Sequence, residues 1–344
     1  MKIMYTGPRD IHVTPALERA RYAVGRVKSE EVVVDWNDIE DSSKNKYAEY
    51  HFKAKKTIFN VLRWQLFLFK RILKFRPNVI FNMSVLSFPP LLIYSFFFKV
   101  KLIYDCRDYL AVSYNYSSLI TATIRLFDNI SALHATAVVI PDDYGREYFY
   151  MLDKSKLHVV YNSVKQYGLK KKYIEGPIRL AYFGYLSYDR NIKAIFDFIE
   201  KNNQEIELHI ACNYIPETLK DKIPKHSKII LYERKSHYEA QKILATMDYC
   251  ILTYNPDLGV YKNIQPTKFY DCLALGLPYI CSKGMTNLEK HVNLSSNLAI
   301  EYDSIEFKGI KKTEFSEYNH QLYLTNYVYD DVCKEYRSFI EAVI

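Results

Sequence analysis

Short apolar runs and stretches of helical spacing alternate along this chain with few exceptions. In the first half the runs predict buried strands over Lys2–Tyr5, Glu31–Asp35, Val79–Phe81, Leu102–Tyr104, Ala137–Ile140 and His158–Tyr161. Between them the spacing predicts helices over Pro15–Val24, Lys55–Phe75, Pro89–Phe98, Ser118–Leu133 and Tyr144–Met151. Polar, Lys-rich Lys165–Gly176, followed at once by Pro177, breaks the pattern and reads as a linker. A second series follows, with strands Ile178–Phe183, Glu207–Ala211, Lys228–Tyr232 and Tyr249–Thr253 and helices Asn191–Glu200, Glu217–Lys222 and Tyr238–Met247. The last segment, Asp330–Val343, puts Val332, Tyr336, Phe339 and Ile340 on one helical face. Repeated strand–helix alternation implies parallel sheets covered on both faces. The expected fold class is α/β, with two Rossmann-like doubly wound domains at 1–164 and 177–325, a linker at 165–176, and a C-terminal helix within 326–344 packing back on the first domain. Ligands of such sheets bind at the carboxyl ends of the strands, so a central cleft between the domains is expected.

One stretch organises the second half, Asn263 to Ser282. Pro266 suits the first turn of a helix, Phe269, Cys272 and Leu273 form an apolar stripe, and Gly276 is placed to end the helix in a left-handed conformation. Leu277–Cys281 then reads as a buried strand. Lys268 and Asp271 therefore fall in the first two turns of a helix between buried strands. A helix start offers free N–H groups and a positive dipole end to an anion, Lys268 adds a point charge, and Asp271 can accept bonds from a pair of hydroxyls. A diphosphate and a ribose gripped from one helix are what a sugar-nucleotide site needs. The plainer reading is a surface helix with two solvated charges.

Composition narrows the class. At 344 residues, two domains of about 150–170 residues are the default. Hydrophobic residues at 49% and aromatics at 15% exclude a disordered chain. A net charge of +8 favours an anionic partner. The six cysteines, Cys106, Cys212, Cys250, Cys272, Cys281 and Cys333, are scattered without metal spacing and read as reduced core thiols of a cytosolic protein. Met1–Gly7 reads as a first strand and turn rather than a signal peptide. No nucleic-acid motif accompanies the charge, so nucleic acid is not an expected partner.

Four pieces together resemble the GT-B glycosyltransferases, in particular the family-4-like group of bacterial polysaccharide assembly. Val159–Val164 is similar to the strand and hinge entering the second domain; Leu180–Arg190 to the strand, Gly turn and basic residue that follow; Asn263–Ser282 to a Pro-x-Lys-x-x-Glu helix; and Ile103–Asp108 to the Asp-x-(Arg or His)-Asp loop of the first domain. The resemblance spans essentially the whole chain, with departures. Asp271 stands where the family has Glu, Ser163 where a Gly is expected, Tyr185 where Arg is common, and Asn263 in place of the first Glu of the Glu-x7-Glu pair.

The resemblance implies transfer of a sugar from a nucleotide sugar to a hydroxyl of a glycan or lipid-linked glycan in surface polysaccharide biosynthesis. The transition state builds positive charge on the sugar and negative charge on the departing phosphate. No Asp-x-Asp occurs in the chain, so a metal-independent site without cofactor is expected, built from helix ends and cations. Expected donor contacts are Gly184, Tyr185, Arg190, Thr267, Lys268 and Asp271, and Asp108 is the candidate general base. Asp105, nearer the strand, can instead cap the following turn. Gly7, Arg9 and Arg107 are candidates for the acceptor side. Histidine gives little, since His12 and His134 and the other seven form no triad or metal spacing. Lys55–Phe75, crowded with cations and aromatics, makes an anionic membrane surface a further expected partner and the inner face of the plasma membrane an expected location beside the cytoplasm. Two rivals share the architecture: a nucleotide-sugar 2-epimerase, and a non-catalytic, transferase-derived binding subunit.

Overall fold

Apolar runs too short for a helix become the inner strands of two sheets. In the computed structural model, residues 1–7, 15–25, 28–36, 48–55, 57–113, 116–184, 186, 190–202, 205–212, 215, 223, 228–232, 235–302 and 309–344 are described. The first sheet holds β1 (Lys2–Gly7), β2 (Glu30–Asp35), β3 (Ala48–His51), β4 (Val79–Asn82), β5 (Lys101–Asp105), β6 (Ala137–Ile140) and β7 (Leu157–Val159) in the order β3-β2-β1-β4-β5-β6-β7. The second holds β8 (Ile178–Phe183), β9 (Ile206–Ala211), β10 (Ile229–Tyr232), β11 (Tyr249–Leu252), β12 (Tyr279–Ser282) and β13 (Leu298–Ile300) in the order β10-β9-β8-β11-β12-β13. Every described pairing is parallel, from Lys2 opposite Glu30 to Ser282 opposite Ile300. β4, β6, β11 and β12 are buried at every residue, as a sheet covered on both faces requires.

The alternation in the sequence thus becomes two doubly wound α/β sheets. Several short elements and one longer helix lacked a signal. β3 and β13 lie at sheet edges, where one buried face suffices and the apolar run is weak. The helix Glu317–Asn326 is mostly polar, and its buried Asn319 and His320 bond to Leu277 O (3.0 Å) and Ala274 O (3.2 Å). The expected helix Glu217–Lys222 lies outside the described residues.

Contacts divide the chain into Met1–Tyr161 with Asp331–Ile344, and Asn162–Asp330. Residues 165–176 belong to the second unit and are pinned to it: Lys171 N–H donates to Leu275 O (2.8 Å), Lys172 N–H to Ala245 O (2.6 Å) and the Gln166 amide to Ala274 O (3.0 Å). Their polar composition suggested a linker, and within it the buried Lys171 ammonium lies 3.7 Å from Asp248, a partner distant in sequence. The last helix, Tyr329–Val343, sets Val332, Tyr336 and Ile340 into a core with Ile3, Tyr5 and Phe81 of the first unit. Tyr336 Oη reaches Asp105 (3.4 Å), and Arg337 donates to Tyr22 O (2.8 Å).

Candidate functional site

In each sheet the strand order reverses beside the first strand, and the crevice outside the carboxyl ends there is where such folds hold ligands. In the second unit this point lies between β8 and β11. Gly184 directly follows β8, and its φ of +141° is costly for any residue with a Cβ. Its N–H donates to Ala211 O (2.9 Å), and a Cβ placed on it would lie 3.1 Å from Arg190 Nη1. The absent side chain therefore lets the guanidinium lie against the backbone. That guanidinium stands 4.7 Å over the Tyr254 ring, and the Arg190 carbonyl accepts from Thr253 Oγ1 (3.2 Å), so one residue ties the end of β8 to the end of β11. Burial weighs against the charge on Arg190, but Tyr254 and Tyr182 outweigh it and hold the guanidinium charged. Tyr185 lies outside the described residues.

The helix that leads into β12 starts at this same edge. Pro266 is its N-cap, extended at ψ 153°, and Phe269 N–H donates to Pro266 O (2.8 Å). The helix runs Thr267–Leu275, so exposed Thr267 and half-buried Lys268 form its first turn, where N–H groups lack intrahelical partners. Gly276 closes it at φ +63°, donating to Leu273 O (3.1 Å) while Leu277 N–H reaches Cys272 O (2.8 Å).

Asp271 differs from its expected role. Its carboxylate is fully buried and accepts from Lys268 Nζ (2.7 Å) on one oxygen, and from His237 Nε2 (2.8 Å) and Gln241 Nε2 (3.0 Å) on the other. It has no exposed face for a ribose. Burial opposes its ionisation, but Lys268 and His237 overcome this and hold it down to about 2. Burial likewise opposes the Lys268 ammonium, and Asp271 restores it, raising its pKa. The pair is therefore ionised at neutral pH, and Asp271 fixes where Lys268 points. His237 and Gln241 were missed in the sequence. Their signal is a capping box, Ser236 and Glu239, opening the helix His237–Leu244 with both residues one turn apart on one face. Gln241 also donates to Lys165 O (3.0 Å), and the Tyr167 ring packs 5.6 Å from His237.

In the first unit the reversal lies between β1 and β4. Gly7 ends β1 there, its carbonyl accepting from Trp36 N–H (3.3 Å). Arg9 and His12 lie outside the described residues. Asp108 is exposed in the loop after β5, and its carbonyl accepts from Cys106 Sγ (3.5 Å). Arg107 is spent on the fold rather than held out to an acceptor: its Nε lies 2.5 Å from Asp105 Oδ1 and its Nη1 donates to Val160 O (3.0 Å). Asp105, fully buried, is that cation's counter-charge and not a turn cap. Alternation could have hinted at this, since Asp105 and Arg107 are two residues apart at a strand end. His134 is exposed, edge-on to Phe96 (6.1 Å). Among the described residues no three His, Cys, Asp or Glu side chains converge as metal ligands would.

No protein-family model matches the chain, and no curated protein matches its sequence. Solved structures do match its shape. Sucrose-phosphate synthase from Thermosynechococcus elongatus superposes with a TM-score of 0.75 at 9% identity, over 99% of this chain and 100% of that one. Anabaena HepE in complex with UDP and glucose gives 0.72 at 11%, over 99% of each chain. The E. coli trehalose-6-phosphate protein bound with UDP-2-fluoro glucose gives 0.68 at 9%, over 100% of this chain and 99% of that one. The chain thus has the GT-B fold, two doubly wound parallel sheets, that these proteins share.

Proposed function

We propose that the chain is a metal-independent glycosyltransferase that moves a sugar from a nucleotide-sugar donor to a hydroxyl of a glycan or lipid-linked glycan in surface polysaccharide biosynthesis. The observation that carries the reading is Arg190, lodged against the bare backbone of Gly184 at the β8–β11 switch point. Lys268 adds a second cation at the same edge, in the first turn of a helix. Glycosyl transfer needs such an arrangement, because leaving-group charge grows on the diphosphate as the bond to the anomeric carbon breaks. Thr267 and the amides of the helix start supply further donors to that anion. Asp271 acts behind Lys268, holding it in place and ionised. On the acceptor side, Asp108 takes the hydroxyl proton, and Gly7 and Arg9 are the further contacts to the acceptor. The structural neighbours complexed with UDP and a sugar support the donor class. The reaction meets its acceptor in the cytoplasm or at the inner face of the plasma membrane.

The test is nucleotide binding, then turnover. Among UDP, GDP, CMP and dTDP, at least one diphosphate should raise the melting temperature, since a ligand that binds only the folded state stabilises it. Arg190→Ala should weaken that ligand by about 2–4 kcal/mol, roughly 30- to 1,000-fold, the cost of losing one charged donor to an anion. Binding that is indifferent to Arg190 defeats the proposal. Release of free epimerised sugar without an acceptor would instead mark a 2-epimerase, whose structure from Methanocaldococcus jannaschii the chain also resembles in shape (TM-score 0.54, 12% identity). Binding without transfer or hydrolysis of any nucleotide sugar would mark a binding subunit.

A further inference from the structure

Three helices of the first unit cover one face of its sheet. The helices Ile58–Phe75 and Phe88–Phe97 pack on Met4, Ile80 and Leu102, and the helix Ser118–His134 packs beside them on Tyr104 and Val138. Leu102 and Tyr104 are two apart on β5 and so share a face. The layer is continuous, since the Gln65 amide donates to Leu86 O just before the second helix and Phe96 of that helix meets His134 at the end of the third.

The outer surface of this layer has the wrong polarity for water. Ile58–Phe75 buries Trp64, Leu68 and Ile72 against the sheet, which leaves the opposite side for solvent. That side carries a second apolar stripe at helical spacing, Phe59, Leu62, Leu66 and Leu73, with Phe59 68% and Leu66 65% exposed. A helix on a globular domain turns polar residues outward, and one that is apolar all round has another apolar phase to meet. The neighbouring helices repeat the pattern, with Phe97 77% and Leu119 76% exposed.

Charge identifies the phase. Residues 50–104 contain ten Lys and Arg and no Asp or Glu. The whole chain has 47 cations and 39 acids, so everything outside this run holds 37 against 39, and the run supplies the net charge of the protein. Arg63, Lys70, Lys74, Arg76 and Lys99 are exposed beside the apolar stripes. On the third helix Asp128 is the lone acid, and it is turned inward to Tyr104 and Tyr148. Protein partners select mixed charge, whereas bulky apolar side chains among unopposed cations match acyl chains under anionic headgroups. Among the described residues no helix is long and apolar enough to cross a membrane, so the layer would lie on the bilayer rather than span it.

We propose that the outer face of these three helices is a docking surface for an anionic lipid bilayer. It does not rest on the transferase reading, because its test contains neither sugar nor nucleotide. The full chain is floated with phosphatidylcholine vesicles, with or without phosphatidylglycerol, at physiological salt and at about 0.5 M, where screening shortens the reach of surface charge to a few ångströms. Binding should require phosphatidylglycerol and weaken at high salt. The double variant L66E/F97E should bind at least about tenfold more weakly, since each change removes an apolar anchor and adds a repelled charge. Leu294→Glu, at an exposed apolar position of the second unit, should bind as wild type. Trp64, on the inner side of the first helix, reports by fluorescence that the double variant is folded. Equal binding to both vesicle types, wild-type binding by L66E/F97E, or a wild-type dimer that this variant dissociates while vesicles capture nothing would each overturn the proposal.

Discussion

Replacing Asp271 by Asn keeps the shape of the side chain and removes its charge, which isolates what the buried carboxylate does. Asp271 is fully buried and its bonding shell is Lys268, His237 and Gln241, all donors in this arrangement. Its folded-state value of about 2 lies below its ordinary 3.8, so the ionised form stabilises the fold. That stabilisation is fully present above pH 3.8 and is lost as pH falls through about 2; its size, at 1.36 kcal/mol per pKa unit, is about 2.5 kcal/mol. Breaking a buried pair outright costs about 3–5 kcal/mol, but Lys268 and His237 are each partly exposed and can turn to water, which favours the low end. We expect a loss of about 3 kcal/mol at pH 7, or amide exchange roughly 150-fold faster in the helix Thr267–Leu275. Tryptophan fluorescence will not see it, because both tryptophans, Trp36 and Trp64, lie in the core of the first unit. Hydrogen exchange read by mass spectrometry on peptides of 267–275 will. The same exchange readout through a urea titration between pH 4 and 2 should show wild type losing about 2 kcal/mol more stability than Asp271→Asn. A change below about 1 kcal/mol at pH 7, or parallel acid responses, would refute the assigned network.

Two further outcomes follow from groups elsewhere in the fold. Burial lifts Asp128 to about 6 against the pull of its bonds from Tyr104 and Tyr148, so its protonated form stabilises the first unit below pH 3.8 and that contribution is lost as pH rises through about 6. Between pH 4 and 7 the stability of wild type should therefore fall by about 2 kcal/mol more than that of Asp128→Asn, measured by urea unfolding with tryptophan fluorescence, and parallel curves would contradict it. Gly276→Ala places a methyl group into the Phe315 ring at φ +63° and should cost about 2–4 kcal/mol, seen as faster exchange in Thr267–Leu275; an unchanged rate would show that the ring moves aside.

What the sequence revealed is what local pattern controls. The strands at the centre of each sheet are apolar on both faces and announce themselves, and Gly276 ends its helix where glycine alone is comfortable. Lys268 falls in the first turn for the same local reason. The function of a charge is different, because it depends on what faces it. Asp271 looked like a ligand for hydroxyls until His237, thirty-four positions away, and Gln241 closed over it. Lys171 in a polar segment looked solvated, yet it is buried near Asp248. Edge strands β3 and β13 were silent because half of each is free to be polar.

The charge distribution also ranks the two cations of the candidate donor site. The net positive charge of the chain resides in residues 50–104, and the rest is close to neutral, so no bulk field draws a nucleotide to the second unit. Attraction there must be local. Lys268 is bonded to Asp271 at 2.7 Å, and beyond a few ångströms the pair acts as a dipole rather than a charge. Arg190 lies instead with its guanidinium 4.7 Å over the Tyr254 ring and against the bare backbone of Gly184. Its planar fork also suits two phosphate oxygens at once, which an ammonium cannot match. Arg190→Ala should therefore weaken a nucleoside diphosphate more than Lys268→Ala does, by calorimetric titration. The reverse order would mean that the ligand itself draws Lys268 away from Asp271, and the carboxylate would then be a gate on the cation rather than its anchor.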